Sequence, residues 1–330
     1  MYSRIIVGLL SLATLASAAC TRELLKDVTD QYLTAQTKGS SSDLLSLTAS
    51  NLTYTENEVK MTLDRSVLTE RIIIDHNRSI FDTVQCATFT ELIAATNIHQ
   101  YVIGTRMEIN SNGKISKIES VVTDRGDWAF NATGYRYWDS LESWDPIPVE
   151  KQDSREVIQA AGDAYFDRFK NESVVIPFGV PCSRLEGGAS TAPLNLTGDS
   201  CTAAGLPSTL VVTNRRYVVD QEMGAVDMFL GFPGLDRSQG MDTMPDSHVF
   251  RVESGKIRYI HTVSSCVESG CGMDGAGPPQ KLRSLPASWR PRRPLRFDTG
   301  YEKTRRRVLS LLQDLSSMLS SNRQRALRPN

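Results

Sequence analysis

The feature that most constrains this chain is a repeat. Residues 111–122 read SNGKISKIESVV and residues 253–264 read ESGKIRYIHTVS, sharing Gly-Lys-Ile-x-x-Ile after a polar turn. A second echo precedes each copy. Thr21-Arg22-Glu23 followed by Asp30-x-Tyr32 returns as Ser154-Arg155-Glu156 followed by Asp163-x-Tyr165. Two echoes in the same order predict a duplicated unit, and two copies make a tandem pair rather than a solenoid.

Within the second copy, 245–266 reads as a β-hairpin, two alternating runs joined at Glu253-Ser254-Gly255-Lys256. Alternation puts His248, Phe250 and Val252 on one face of its first strand, and Ile257, Tyr259, His261 and Val263 on one face of its second. Two of the four histidines are therefore expected in one half-buried wall. The plainer reading is a pair of core histidines; the sharper one is a pocket with titratable groups.

Upstream, Leu24, Leu25, Val28 and Tyr32 recur at helical spacing over 20–37, with a short second helix through Leu47. Residues 51–62 read as a strand or loop pair, and Ile72-Ile73-Ile74 suits a buried strand. Residues 79–96 are β-rich, and 101–109 with 113–123 predict a hairpin. The aromatic stretch Trp128–Trp144 reads as the tail of the first unit folding onto its core, and Asp145-Pro146-Ile147-Pro148 as a linker. Ile158, Ala161, Tyr165 and Phe169 mark a helix over 154–170. Residues 177–207 read as a long loop, and 210–219 with 225–232 as another hairpin. The expected class is α+β: tandem units at 19–144 and 154–280, joined by 145–153, each with N-terminal helices on a curved antiparallel sheet.

Residues 1–18 have the form of a signal peptide, with Arg4, an apolar run and the Ala16-Ser17-Ala18 cleavage pattern. No stretch is long enough for a membrane span. Sequons stand at Asn51, Asn77, Asn131, Asn171 and Asn195. The cysteines are Cys20, Cys86, Cys182, Cys201, Cys266 and Cys271. In an oxidising compartment an even number implies disulfides. We expect Cys20 to pair with Cys86 and the other four to form two bridges. Together these features predict a secreted or secretory-lumen glycoprotein. Residues 281–330 hold 13 Lys or Arg against 3 Asp or Glu, so that segment carries about +10 and the remainder about −11 to give the total of −1. It reads as a largely disordered basic tail with a possible helix at 301–319. A secreted chain rarely meets nucleic acid, so no nucleic-acid partner is expected.

The segments Phe178-Gly179-Val180-Pro181-Cys182-Ser183-Arg184-Leu185-Glu186-Gly187-Gly188, Arg215-Arg216-Tyr217-Val218-Val219-Asp220, Pro245-Asp246-Ser247-His248 and Gly255-Lys256-Ile257-Arg258-Tyr259-Ile260-His261-Thr262 carry a family resemblance. So do Tyr101-Val102-Ile103-Gly104-Thr105 and Gly126-Asp127-Trp128. The chain resembles, over about 20–275, a family of filamentous-fungal secreted proteins of unknown function. The resemblance implies a fungal source. It also implies a relationship to the cone-shaped fold of nuclear transport factor 2, SnoaL-like cyclases and ketosteroid isomerase, some members of which are enzymes while others only bind.

Enzymes of that fold move protons without a cofactor, using a base, an acid or oxyanion donor, and an apolar chamber. The second unit offers His248, His261, Asp227 and Tyr217 as catalytic candidates, with Arg216, Tyr259, Phe250 and Glu186 for binding. Asp227 alternates with Phe229 and calls for a partner such as Arg216 or a histidine; a structural Arg–Asp pair is the plainer alternative. The first unit has Lys117 and Glu119 where the second has Tyr259 and His261, leaving Glu91, Asp82 and Tyr32 as its pocket candidates. No G-x-S-x-G, H-E-x-x-H, P-loop or strand–helix G-x-G-x-x-G is present. Neither a metal site nor a cofactor is expected. Two functions remain open: an isomerase, cyclase or dehydratase of a small polyketide-type metabolite, or a non-catalytic secreted binding or effector protein. The expected partner is a small molecule, and the expected state a monomer with an internal pseudo-dimer.

The secretory reading predicts an intact mass that falls on deglycosylation, a mature chain beginning near Ala19, and no reactive thiol before reduction. An unmodified mass with six titratable thiols would refute it.

Overall fold

The computed structural model describes residues 20–191, 200–204, 206–233 and 243–266. The expected signal peptide, basic tail and helix at 301–319 lie outside the described residues, as do Asn195 and Cys271.

Each half opens on a capped helix. In α1 (Arg22–Lys38) the Thr21 hydroxyl accepts from Leu24 N, and Gly39 closes the helix in the left-handed region at φ 67°. A Cβ on Gly39 would stand 2.7 Å from Arg71 N, so backbone approach and φ both require glycine there. A shorter helix, α2 (Ala132–Asp139), follows the first sheet and is capped by Asn131. In α3 (Arg155–Asp167) the Ser154 hydroxyl accepts from Val157 N. The repeated Thr/Ser-Arg-Glu is thus an N-cap, a cation and an acidic first turn, each used twice.

The first half builds a mixed sheet from β1 (Thr48–Glu56), β2 (Val59–Met61), β3 (His76–Asp82), β4 (Ala87–Ala94), β5 (Tyr101–Ile109) and β6 (Ile115–Thr123), in the order β2-β1-β6-β5-β4-β3. The second half repeats it with β7 (Phe178–Glu186), β8 (Ala189–Ser190), β9 (Thr213–Asp220), β10 (Ala225–Phe232), β11 (Met244–Glu253) and β12 (Lys256–Ser264), in the order β8-β7-β12-β11-β10-β9. Only β1 with β6, and β7 with β12, pair in parallel. The fold is α+β, and all described residues belong to one compact unit. Among them no helix is long and apolar enough to cross a membrane.

One face of each sheet receives its own helix. Leu25, Val28 and Tyr32 of α1 meet Met107, Ile109, Ile115 and Ile118. Ile158, Tyr165 and Phe166 of α3 meet Met228, Phe250, Val252 and Ile260. The opposite faces pack on each other: Ile80, Phe89, Val102 and Val121 against Val218, Phe229, Val249 and Val263. Phe89 and Phe229 meet edge to face at 6.2 Å.

The contacts between halves are reciprocal. Asp82 and Asp220 hold the same register place, opposite Ala87 and Ala225. Arg155 makes two bonds to Asp82, at 2.7 and 2.5 Å, and Asp82 also accepts from Val219 N. Arg22 bonds Asp220 at 3.0 Å, and Asp220 accepts from Phe81 N. Each helix start reaches the other half's sheet, as the two sides of an isologous interface do.

Several local expectations need correction. Ile72–Ile74 is not a strand. Gln36 donates to Val67 O and Glu70 O and accepts from Ile72 N, tying the segment to the end of α1 instead of to a strand ladder. The loop expected at 177–207 contains β7, whose Gly- and Pro-bearing sequence hides its alternation; pairing with β12 and the Cys182–Cys201 disulfide hold it extended. The stretch 128–144 folds between the halves rather than onto the first alone, and it contains α2. Cys20 does pair with Cys86. Cys266 is also disulfide-bonded. Two defined disulfides agree with an oxidising compartment. Asn51, Asn77, Asn131 and Asn171 are all exposed.

The reciprocal pairs make a prediction. Asp82→Ala leaves a mostly buried Arg155 unpaired and should cost about 3 kcal/mol. Asp220→Ala should cost less, because Arg22 is 29% exposed against 17% for Arg155. Urea unfolding of the two variants gives the comparison, and equal or negligible costs would refute it.

Candidate functional site

The decisive local feature is one extra residue. In the last hairpin, Val252 opposes Ile257, but Arg251 opposes Tyr259, so Arg258 is a bulge. A one-residue shift exchanges faces. Beyond it, His248 opposes Thr262 and Val249 opposes His261. The two histidines therefore lie on opposite faces of the sheet and do not line one pocket. Ser116 is the matching extra residue in the first half.

His248 faces α3. Register aligns Glu186, Thr262, His248, Met228 and Tyr217 in one row across β7, β12, β11, β10 and β9. Asp246, two residues before His248, shares its face and binds its Nδ1 at 2.8 Å. Both are buried, at 2% and 4% exposure. The His248 and Phe166 rings meet edge to face, with their centroids 4.9 Å apart. These groups border a cavity of about 40 Å³ whose polar wall is Glu186, Asp246, His248, Thr262 and Ser264. Its apolar wall includes Tyr165, Phe169, Leu210, Phe232 and Trp128. Burial holds the Tyr165 phenol well above its usual range, although the hydrogen-bonded Arg184 opposes that shift.

Trp128 comes from the first half. Its segment is clamped to the second: Asn131 N donates to Gly187 O at 2.6 Å, and Cys266 N to Asp127 Oδ1 at 2.6 Å. A Cβ on Gly187 would stand 2.2 Å from Trp128 O, so the close approach needs glycine. The cavity is thus completed by both halves.

His261 lies between the sheets. Its Nδ1 faces Glu91 at 3.1 Å and its Nε2 faces Glu142 at 2.6 Å. With a carboxylate at each nitrogen the ring is an imidazolium. Its pKa is raised to about 10 because the two carboxylates outweigh its burial. Glu91 is lowered to about 2: His261, Arg78 and the Tyr135 hydroxyl outweigh its complete burial. Arg78 joins Glu91 to Asp139 and lies 4.1 Å over the Trp144 ring. Glu91, Asp139 and His261 place ligand atoms within 4.8 Å of one another. A cation there would have to displace the Arg78 guanidinium and the proton of His261. The cleft outside, about 440 Å³ and bordered by His76, Arg78, Glu142 and Trp144, opens on groups already paired.

The other expected residues divide in the same way. Asp227 faces the sheet interface, accepts from Ser247 Oγ at 2.8 Å, and has no partner at Oδ2. Burial raises its pKa well above the carboxylate range. The partner expected for it, Arg216, instead meets Glu119 at 2.9 Å. Tyr259 packs on Trp144, with ring centroids 5.6 Å apart, on the interface face. Phe250 and Tyr217 face α3, Phe250 within its core and Tyr217 bonded to Asp163. Burial and that carboxylate push the Tyr217 phenol to about 12. Of the eight expected residues, the cavity receives His248 and Glu186. Asp246 had a readable signal, since D-x-H on a strand puts both side chains on one face. Thr262 and Ser264 become readable only once the bulge is known, and Trp128 had none.

Residues 151–264 match the model of a family described as Domain of unknown function (DUF8021). No curated protein matches the sequence. Two similar solved structures are PrhC from Penicillium brasilianum NBRC 6234 and AusH from Aspergillus nidulans. PrhC is 8% identical with a TM-score of 0.24, over 31% of this chain and 82% of its own. AusH is 11% identical with a TM-score of 0.26, over 34% of this chain and 90% of its own.

The buried cation gives a pH prediction. His261 is raised above its unfolded value, so its stabilisation is complete below about pH 6.5 and fades as pH climbs through about 10. Glu91 is lowered, so its contribution is present above about pH 4.5 and fades as pH falls towards 2. His261→Gln should cost about 3–5 kcal/mol at pH 6 and much less at pH 10. A cost independent of pH, read from denaturant unfolding, would refute the imidazolium.

Proposed function

We propose that the second-half cavity is an acid–base site for a small metabolite of polyketide type, working as an isomerase or cyclase. The buried Asp246–His248 pair opening on a mainly apolar cavity carries this reading. With Nδ1–H donated to Asp246, the imidazole presents Nε2 as the base. Nε2 takes a proton from a carbon next to a carbonyl, and the electron pair of that C–H bond enters an enolate. The resulting imidazolium returns the proton at another carbon, giving an isomer, or protonates the alkoxide formed when the enolate attacks a second carbonyl, giving a ring. Neither course consumes a co-reactant. The sequons, the signal-peptide pattern and the disulfides support a secreted or secretory-lumen setting.

A second reading, a secreted carrier without turnover, is favoured by the aromatic and aliphatic share of the wall. Metabolite profiling of a deletion strain separates the two. The catalytic reading expects an accumulated compound that the purified protein converts. His248→Gln should convert it about a hundredfold more slowly with the fold intact. Full activity in that variant would overturn the catalytic reading, and binding without conversion by either form would establish the carrier.

A further inference from the structure

We infer that the Thr262 hydroxyl is a ligand-binding hydrogen-bond donor, which holds the carbonyl oxygen of an uncharged ligand whose neighbouring carbon faces His248. The inference rests on the proposed acid–base cavity and names its substrate class.

Thr262 is 2% exposed, and its Oγ1 has no hydrogen-bond partner among the described residues. A buried hydroxyl left unpaired is destabilising, and native folds rarely keep one without a use. Thr29 and Thr88 also have unpartnered hydroxyls, but neither borders this cavity. Thr262 does, between Glu186 on one neighbouring strand and His248 on the other.

The duplicated half shows what a satisfied version looks like. By register, Glu56, Ser120 and Thr105 correspond to Glu186, Thr262 and His248. Tyr32 stands in α1 where Tyr165 stands in α3. In the first half these groups satisfy one another: Tyr32 with Thr105 at 2.9 Å, Thr105 with Ser120 at 3.0 Å, and Tyr54 donating to Glu56 at 2.7 Å. In the second, His248 is engaged by Asp246, so the hydroxyl on β12 has lost its cross-strand partner.

The chemistry of the gap selects the ligand. Side chains directly opposite on paired strands stand about 5 Å apart. A carbonyl oxygen and its α-carbon are separated by two bonds, so one can meet Thr262 while the other faces the imidazole. The Thr262 hydroxyl has a proton to give and no acceptor among the described residues, which makes it a donor for this wall. Two carboxyl groups, Asp246 and Glu186, in the same wall disfavour carboxylate or phosphate ligands. The class that fits is an uncharged ketone, enone or ester.

Acetone, labelled with carbon-13 at its carbonyl and small enough for a cavity of about 40 Å³, is the probe. It should show a protein-dependent carbonyl shift by NMR and exchange its α-protons for deuterium faster with protein than without. Thr262→Val should weaken binding about tenfold and remove the shift, while leaving the thermal midpoint unchanged or raised, since the lost hydroxyl had no partner in the free protein. Thr262→Ser should restore the shift. His248→Gln should lose the exchange and keep the shift, so failure of the base and failure of the Thr262 assignment are told apart. Three results overturn the inference. The first is no carbonyl shift with the wild-type protein, and the second is the same shift with Thr262→Val. The third is a fall in midpoint of about 2 °C or more in Thr262→Val, as expected for a structural hydrogen bond.

Discussion

The burial of one sheet face against the other governs the rest of this molecule. Each half has a sheet with two apolar faces, and its single long helix covers only one of them. The uncovered faces must meet something, and here they meet each other around Phe89 and Phe229. Paired charges at the margin set the register: Arg155 on Asp82 and Arg22 on Asp220, each aspartate also accepting a backbone N–H from the opposite half. Apolar burial supplies the drive, being proportional to area and without direction. The directional Arg–Asp contacts, two-pronged at Asp82 and single at Asp220, favour one alignment over its neighbours. The clamped segment carrying Trp128 depends on that alignment, and so does the completed cavity.

The same interface explains why a histidine that looked catalytic is not in the cavity. His261 stands in a place that Glu119 occupies in the first half, and Glu91 in a place that Phe229 occupies in the second. The duplicated positions have become complementary across the interface. On one side Glu91 meets His261; on the other Arg216 meets Glu119. A cation between two carboxylates, with both ring nitrogens engaged, has no lone pair to offer a substrate. The group that resembles a general base by residue type is therefore a charge partner by environment, whereas His248 is engaged at Nδ1 alone among the described residues.

Much of the architecture was legible because it was written twice. The repeated Thr/Ser-Arg-Glu marked two helix starts, and the repeated Gly-Lys-Ile marked two hairpins; both appear in the fold. The site was less legible. Strict alternation placed His248 and His261 together, and the extra residue at Arg258 separated them. A bulge depends on cross-strand pairing, so a single strand read alone does not reveal it. β7 was hidden by its Gly179, Pro181 and Cys182, which resemble loop residues until β12 and a disulfide hold them. Trp128 reached the cavity by tertiary packing from the other half, for which local sequence has no signature.

The two helix-facing rows then show how a duplicated scaffold divides its labour. Charged or polar groups beneath a helix are costly unless each finds a partner. The corresponding row of the first half meets that requirement internally, through Tyr32, Thr105, Ser120, Tyr54 and Glu56. Its row is closed and adds rigidity. The second half has His248 in place of Thr105 and Asp246 in place of Ile103, which turns the imidazole towards its carboxylate and leaves Thr262 unmatched. A satisfied row and an unsatisfied row on the same backbone differ mainly in what they can offer a third party. The closed network has its groups already engaged, whereas the open one presents a free ring nitrogen and a free hydroxyl side by side.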